Sequence, residues 1–393
     1  MGSVTRRDAL ALTLAAAAPA GWAKAAERAS FPFKVTRNVA WTGVTLEGQR
    51  PLPFMLDSGA NNYLIDPAAA EKAGLRRTGE VASAETAGGR VALPVYNSRE
   101  IVIGGALRDV NVSLIGLKKE TMDLTQGIVP SSTLASVGFD FDAERVSVAR
   151  ELAKAPEGYE RVDMANQSTQ GFSHLQHSVE APQPVIHAEL DGQPVRLMLD
   201  TGANDTLVLF GGYVRRHGLW DHYAKVLPGR ARTVGGLIGL KTVRAEVLRV
   251  GQVSFKGLPI ALSDPASQGR GNDWSDGLIG LEVLRRLNFI IAPERRSVFF
   301  KPSKDIDDVY RYDRAGLSIE RVQESIQVVH VAAGGPAARA GFRLGDHVTG
   351  WAGQGGYFGL VWALQGAPGD VVRIQVERNG QPEVLAVTLE ERI

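Results

Sequence analysis

The chain has 393 residues, 44% hydrophobic and 22% charged, too long for one ordinary domain and too apolar for wholesale disorder. Lys and Arg total 44 against 43 Asp and Glu, a net +1, so no basic excess points to nucleic acid or an anionic membrane. Cysteine is absent, which excludes disulfides, thiolate nucleophiles and Cys-based zinc or iron–sulfur sites, while 44 glycines favour a turn-rich β protein.

Residues 1–25 read as an export signal. Arg6-Arg7 precedes an apolar run from Ala9 to Ala20, and Ala23-Lys24-Ala25 offers small residues where a signal peptidase cuts. The run is about 12 residues, short of the roughly 20 that span a bilayer as a helix. The arginine pair resembles a twin-arginine signal, with Leu10 fitting its apolar end and Ala9 replacing the usual Phe. An ordinary export signal carrying two arginines is the other reading. Both predict a periplasmic or otherwise exported protein with no integral membrane segment. Its remaining 41 basic and 42 acidic residues give a net −1.

The next elements occur twice. Pro53–Leu56 is an apolar run of strand length ending at Asp57, and Val195–Leu199 ends in the same way at Asp200. Aligning Leu46–Asn62 with Leu190–Asp205, one gap at Arg50, makes 10 of 16 pairs identical at a spacing of 143 residues. That period is too long for a solenoid and suits two homologous lobes. Downstream features recur in step. Gly88-Gly89 corresponds to Gly235-Gly236, the second at the centre of a hairpin pattern over Ala231–Leu248, followed by Ile101–Gly104 and Leu248–Gly251, then Gly127–Pro130 and Gly277–Gly280. Helices are predicted over Pro67–Ala73, capped by Asp66 and closed by Gly74, and over Glu282–Leu287. The reading is therefore a mainly β protein with lobes at 30–150 and 181–302 related by a pseudo-twofold. Polar residues 151–180 join them, and His174 and His177 within that stretch read as solvated side chains.

A third unit spans 315–393. Gly316-Leu-Ser-Ile319 precedes a strand at Ile326–Val331, and Gly335–Asp346 predicts a short helix and a tight turn. Gly369–Gly380 then runs into an Asn379-Gly380 hairpin turn, with alternation over Glu383–Leu389. These three blocks in order resemble a bacterial periplasmic PDZ domain. The resemblance implies that Gly316, Leu317, Ser318 and Ile319 form a groove binding protein C-termini through backbone amides.

The candidate chemistry rests on two carboxylates. Asp57-Ser-Gly-Ala60 and Asp200-Thr-Gly-Ala203 resemble the paired catalytic loops of retropepsin- and pepsin-like aspartic peptidases, over roughly residues 30–302. That resemblance implies catalytic Asp57 and Asp200 facing each other, with Ser58, Gly59, Thr201 and Gly202 supporting them. Two carboxylates so placed share one proton. The charged member takes a proton from a bridging water while its partner donates to the scissile carbonyl, without metal or cofactor. Gly88-Gly89 and Gly235-Gly236 would be flaps over a peptide substrate, with Asn204 and Asp205 lining its site. Ala60 and Ala203 stand where acid-acting relatives carry a hydroxyl, which implies an optimum between mildly acidic and neutral pH. Pro130 stands where the second lobe has Gly280, predicting a less ideal hold on Asp57. The alternative is a non-catalytic adaptor that keeps the cleft and the PDZ groove without turnover.

Overall fold

The structure, a computed structural model, describes residues 28–86, 89–117, 124–131, 134, 136–152, 154–165, 183–233, 236–266, 275–322 and 325–393. The export signal, His174 and His177 lie outside these residues. Strands hold 53% of the residues and helices 11%, so the fold is mainly β.

The duplication read from the sequence is a duplication of topology. In the first lobe the neighbouring strands run Ala40–Leu46, Leu52–Asp57, Gly127–Pro130, Tyr63–Ile65, Leu107–Gly116, Gly89–Ile103, Arg76–Thr86. In the second they run Val185–Leu190, Gln193–Asp200, Gly277–Gly280, Leu207–Leu209, Val253–Ser263, Gly236–Val250, Leu227–Thr233, the same order. Each sheet curls until its first strand also meets its long hairpin strand, Leu46 beside Ile101 and Leu190 beside Leu248. Ala40–Leu46 alternates buried and half-buried residues, as a strand on a curled wall does. Gly127–Pro130 and Gly277–Gly280 are buried throughout because they lie mid-sheet.

A six-stranded sheet joins the lobes. Its order is Arg28–Pro32, Arg145–Ala149, Ser136–Asp140, Leu287–Ala292, Ser297–Pro302, Glu160–Asp163. The lobes meet where Gly138 pairs with Ile290 and Phe139 with Phe289. Ring contacts between Phe139 and Phe289 at 5.0 Å, and between Phe33 and Phe141 at 5.3 Å, fill the space beneath.

Two local features go beyond the sequence reading. Within the polar connection, Glu160–Asp163 is an edge strand against Ser297–Phe300, with only Val162 buried. The helix expected over Glu282–Leu287 is a single turn, Leu281–Leu284, and the backbone is strand from Leu287. Leu287, Phe289 and Ile291 are all buried at period 2, and the joining sheet takes their backbone bonds. Pro67–Lys72 is helical, with Asp66 accepting from the Ala69 amide at 3.2 Å and Gly74 left-handed at φ 73° just beyond it.

Residues 317–388 form a separate five-stranded sheet: Leu317–Val322, Ser325–Val331, His347–Trp351, Val371–Arg378, Gln381–Thr388. Helices Pro336–Arg339 and Gly356–Ala363 accompany it, over a core including Val328, Phe342, Leu360 and Ile374. This unit touches both lobes. The Arg37 guanidinium packs against Gly355, and Leu227 clusters with Tyr312 and Ile393. The Ile393 carbonyl accepts from Arg244 Nε at 3.0 Å and Nη2 at 2.9 Å.

Candidate active site

Each lobe delivers one aspartate at the end of a buried strand. Asp57 is 2% and Asp200 0% exposed, and each lies parallel to a buried support strand, Asp57 beside Pro130 and Asp200 beside Gly280. Beyond the aspartate the backbone turns back and its amides reach the carboxylate. Gly59 and Ala60 donate to Asp57 Oδ1 at 2.8 and 2.9 Å. Gly202 and Ala203 donate to Asp200 Oδ1 at 3.0 and 3.1 Å.

Four buried hydrogen bonds lock the two loops together. Ser58 Oγ donates to the Leu199 carbonyl at 2.8 Å and accepts from the Thr201 amide at 3.0 Å. Thr201 Oγ1 donates to the Leu56 carbonyl at 2.8 Å and accepts from the Ser58 amide at 2.9 Å. Only a hydroxyl both donates and accepts from one atom, which is why Ser and Thr serve here. Gly202 meets the Asp57 carboxylate so closely that a methyl group on it would collide. Asp57 therefore points into the opposing loop.

The support strands differ between lobes. The Gly280 amide donates to the Thr206 carbonyl at 2.9 Å, and a methyl there would collide with the Asp205 carbonyl. Pro130 has no amide to give. Asp57 nevertheless keeps both of its amide donors. Asp276, just ahead of Gly277–Gly280, accepts from Arg196 Nε at 3.1 Å and Arg216 Nη2 at 2.6 Å. Burial pushes its pKa up, but Arg196 and then Arg216 outweigh that, and the carboxyl stays below its usual range. This ties the support strand to the strand that carries Asp200.

Two side chains that the sequence reading missed cross between lobes. Asn38 Nδ2 donates to the Asn204 carbonyl at 2.8 Å, and Gln183 Nε2 donates to the Gly59 carbonyl at 2.6 Å. Asn38 lies just ahead of Ala40–Leu46 and Gln183 just ahead of Val185–Leu190, the corresponding strands of the two lobes, and each grips the other lobe's aspartate loop. Asn38 is half of a two-residue turn, Arg37-Asn38, with φ 48° and 58°, between strands Lys34–Val35 and Ala40–Leu46. Asn in such a turn is the available signal.

The strands of the long hairpins pair out to Thr86 with Gly89 and to Thr233 with Gly236. Gly89 and Gly236 are the first residues of their strands, and Gly88 and Gly235 lie outside the described residues. Asn204 is exposed and Asp205 half-buried beside the Asp200 loop. The methyls of Ala60 and Ala203 join apolar clusters, with Met55 and Ile128 and with Met198 and Phe210 respectively. Among the described residues no three His, Asp or Glu side chains converge as a metal site. Gly316 lies just before the edge strand Leu317–Val322, far along the sequence from Asp57 and Asp200 and beside a separate sheet.

An aspartyl protease family model matches residues 42–141 and 186–283, one match per lobe, and a PDZ domain model matches 314–389. No curated protein matches the sequence significantly. The two matched repeats coincide with the two lobes whose loops interlock. The chain belongs to the aspartyl protease family and carries a C-terminal PDZ domain.

Proposed function

We propose that this peptidase is an exported endopeptidase in which Asp57 and Asp200 share one proton and activate a water between them. The reciprocal lock of Ser58 and Thr201 carries the reading: it holds two buried Asp-[Ser/Thr]-Gly loops face to face. Two carboxylates brought together resist double ionisation, so the protonated member is available to donate to a peptide carbonyl while the charged one takes a proton from water. The paired hairpins supply walls over an extended substrate, and the PDZ domain adds a second peptide site that raises the local concentration of the scissile segment. Export rests on Arg6-Arg7 and the apolar run behind it. Pro130 is the departure that favours the adaptor alternative, while the two amides on Asp57 support an intact first loop.

The test is hydrolysis of casein or an unstructured peptide, with pepstatin and with Asp57→Asn and Asp200→Asn. Each substitution is expected to lower turnover by about 10²–10⁴-fold or more, with the thermal midpoint unchanged or raised. Near-full activity in either variant would refute the shared dyad.

A further inference from the structure

The turn that opens the PDZ domain is already occupied. Gly316 is left-handed at φ 70°, and the backbone around it turns successive amides toward one point. At that point stands Asp313. Its Oδ1 accepts from the Ala315 amide at 3.0 Å and the Gly316 amide at 2.9 Å, and the Leu317 amide also bonds this carboxylate. Such a nest of amides is the chemistry by which a domain of this kind captures a terminal carboxylate.

Other residues keep Asp313 there. Arg392 Nη1 lies 3.5 Å from Asp313 Oδ2, and the same guanidinium fills the space beside Gly316, where a methyl would come within 2.7 Å of it. The Arg392 amide donates to Tyr312 Oη at 3.0 Å, and Tyr312 Oη donates to Glu391 Oε1 at 2.7 Å. A ligand carboxylate entering this nest would have to displace a tethered one or sit beside its charge.

The strand edge beyond the nest has a different status. Leu317–Val322 is the outer strand of its sheet and pairs, among the described residues, only with Ser325–Val331. Helix Gly356–Ala363 reaches this strand through Tyr357, whose Oη donates to the Ile319 carbonyl at 3.1 Å. A hydroxyl of this kind is readily replaced by the N–H of an added strand.

From this we infer that the PDZ groove takes an extended internal segment of a partner polypeptide, by strand addition along Leu317–Val322, and does not require a free carboxyl terminus. Asp313 is the internal stand-in for the missing carboxylate. The inference rests on the domain being a peptide site, as proposed above, and is independent of the dyad.

The experiment uses the full-length protein with Asp200→Asn, and mass spectrometry of the recovered peptides checks that they stay intact independently of the dyad reading. The probes are two random ten-residue peptide libraries, identical except that one ends in a free carboxylate and the other in a carboxamide. The best selected sequences are made in both forms and their Kd measured by fluorescence anisotropy. With Asp313 in place, the two forms should differ by less than about threefold. Asp313→Ala empties the nest and should favour the free acid by about tenfold, whereas Asp313→Asn keeps an oxygen in the nest and should stay indifferent. Tyr357→Phe removes the hydroxyl competing for the Ile319 carbonyl and should tighten both forms by about threefold. A tenfold preference for the free acid with Asp313 present overturns the inference. So does selection of nothing from either library, or a Tyr357→Phe variant that binds unchanged.

Discussion

Gly202 has no side chain to spare, because the Asp57 carboxylate stands where one would grow. Gly202→Ala should push the loops apart, cutting turnover by about 10²-fold or more and lowering the thermal midpoint by several degrees. Steady-state kinetics and calorimetry check both, and a fully active alanine variant would show that the loops are not this close. Asp276 yields a pH prediction. Its folded pKa lies below the unfolded value of about 3.9, so it stabilises the fold above that pH and the contribution fades as pH falls through the folded value. Asp276→Asn should cost roughly 1–2 kcal/mol at pH 7, discounted because Arg216 is largely exposed, and should flatten the fall in midpoint below about pH 4. Equal acid sensitivity of parent and variant would remove Asp276 from the account. Asp57, Ser58, Asp200 and Thr201 were legible because duplication repeats them in register. Asn38, Gln183 and Asp313 were not, since each gains its meaning from backbone that folding brings to it: Asn38 and Gln183 from the other lobe, Asp313 from the turn beside it.

At the scale of elements, the Arg37-Asn38 turn is a junction. Asn38 grips the Asp200 loop of the second lobe while Arg37 packs on Gly355 at the start of the PDZ helix. Gln183 answers from the second lobe by gripping the Asp57 loop. Both act on loop carbonyls and neither donates to a carboxylate in these bonds, so they are positioning residues. Asn38→Ala and Gln183→Ala should each lower kcat by about fivefold with KM nearly unchanged, as expected for losing one cross-lobe hydrogen bond worth roughly 1 kcal/mol. Gln183→Glu loses the donor and keeps the shape, so it should match Gln183→Ala in kcat. Unaltered kcat in all three would reduce these contacts to packing. The second lobe's hairpin was readable from Gly235-Gly236 between alternating or apolar runs, and its strands pair there from Leu227 to Thr242. The extra strand Glu160–Asp163 was not readable. A four-residue edge strand with one buried side chain leaves too little periodicity.

Across the whole molecule, two lobes of one topology were legible from a 143-residue repeat, whereas the fastening of the PDZ domain was not. The segment between Pro302 and Ala315 works as a strap on the second lobe. Asp308 bonds Arg285 Nη1 through its carboxylate at 2.8 Å and Arg286 Nη2 through its carbonyl at 2.9 Å. The Arg311 amide donates to Glu282 Oε1 at 3.2 Å, Tyr310 covers the Arg286 guanidinium at 4.4 Å, and Ile306 packs on the main core. Beneath the strap, Glu282 and Arg286 are 1% and 0% exposed and pair with each other, directly after the strand that supports Asp200. Removing a cover of this kind wets a buried ion pair and strips its remaining partners, a loss of about 2–4 kcal/mol. Two truncations separate strap from domain. Deleting residues 316–393 keeps the strap, so the two lobes should fold and still cut short peptides, while losing efficiency on protein substrates that the PDZ domain would tether. Deleting 303–393 removes the strap as well and should melt the lobes about 5–10 °C lower than the shorter deletion. Calorimetry of the two truncated proteins reads the difference directly. Equal midpoints would mean that residues 303–315 only span the distance between lobe and PDZ domain.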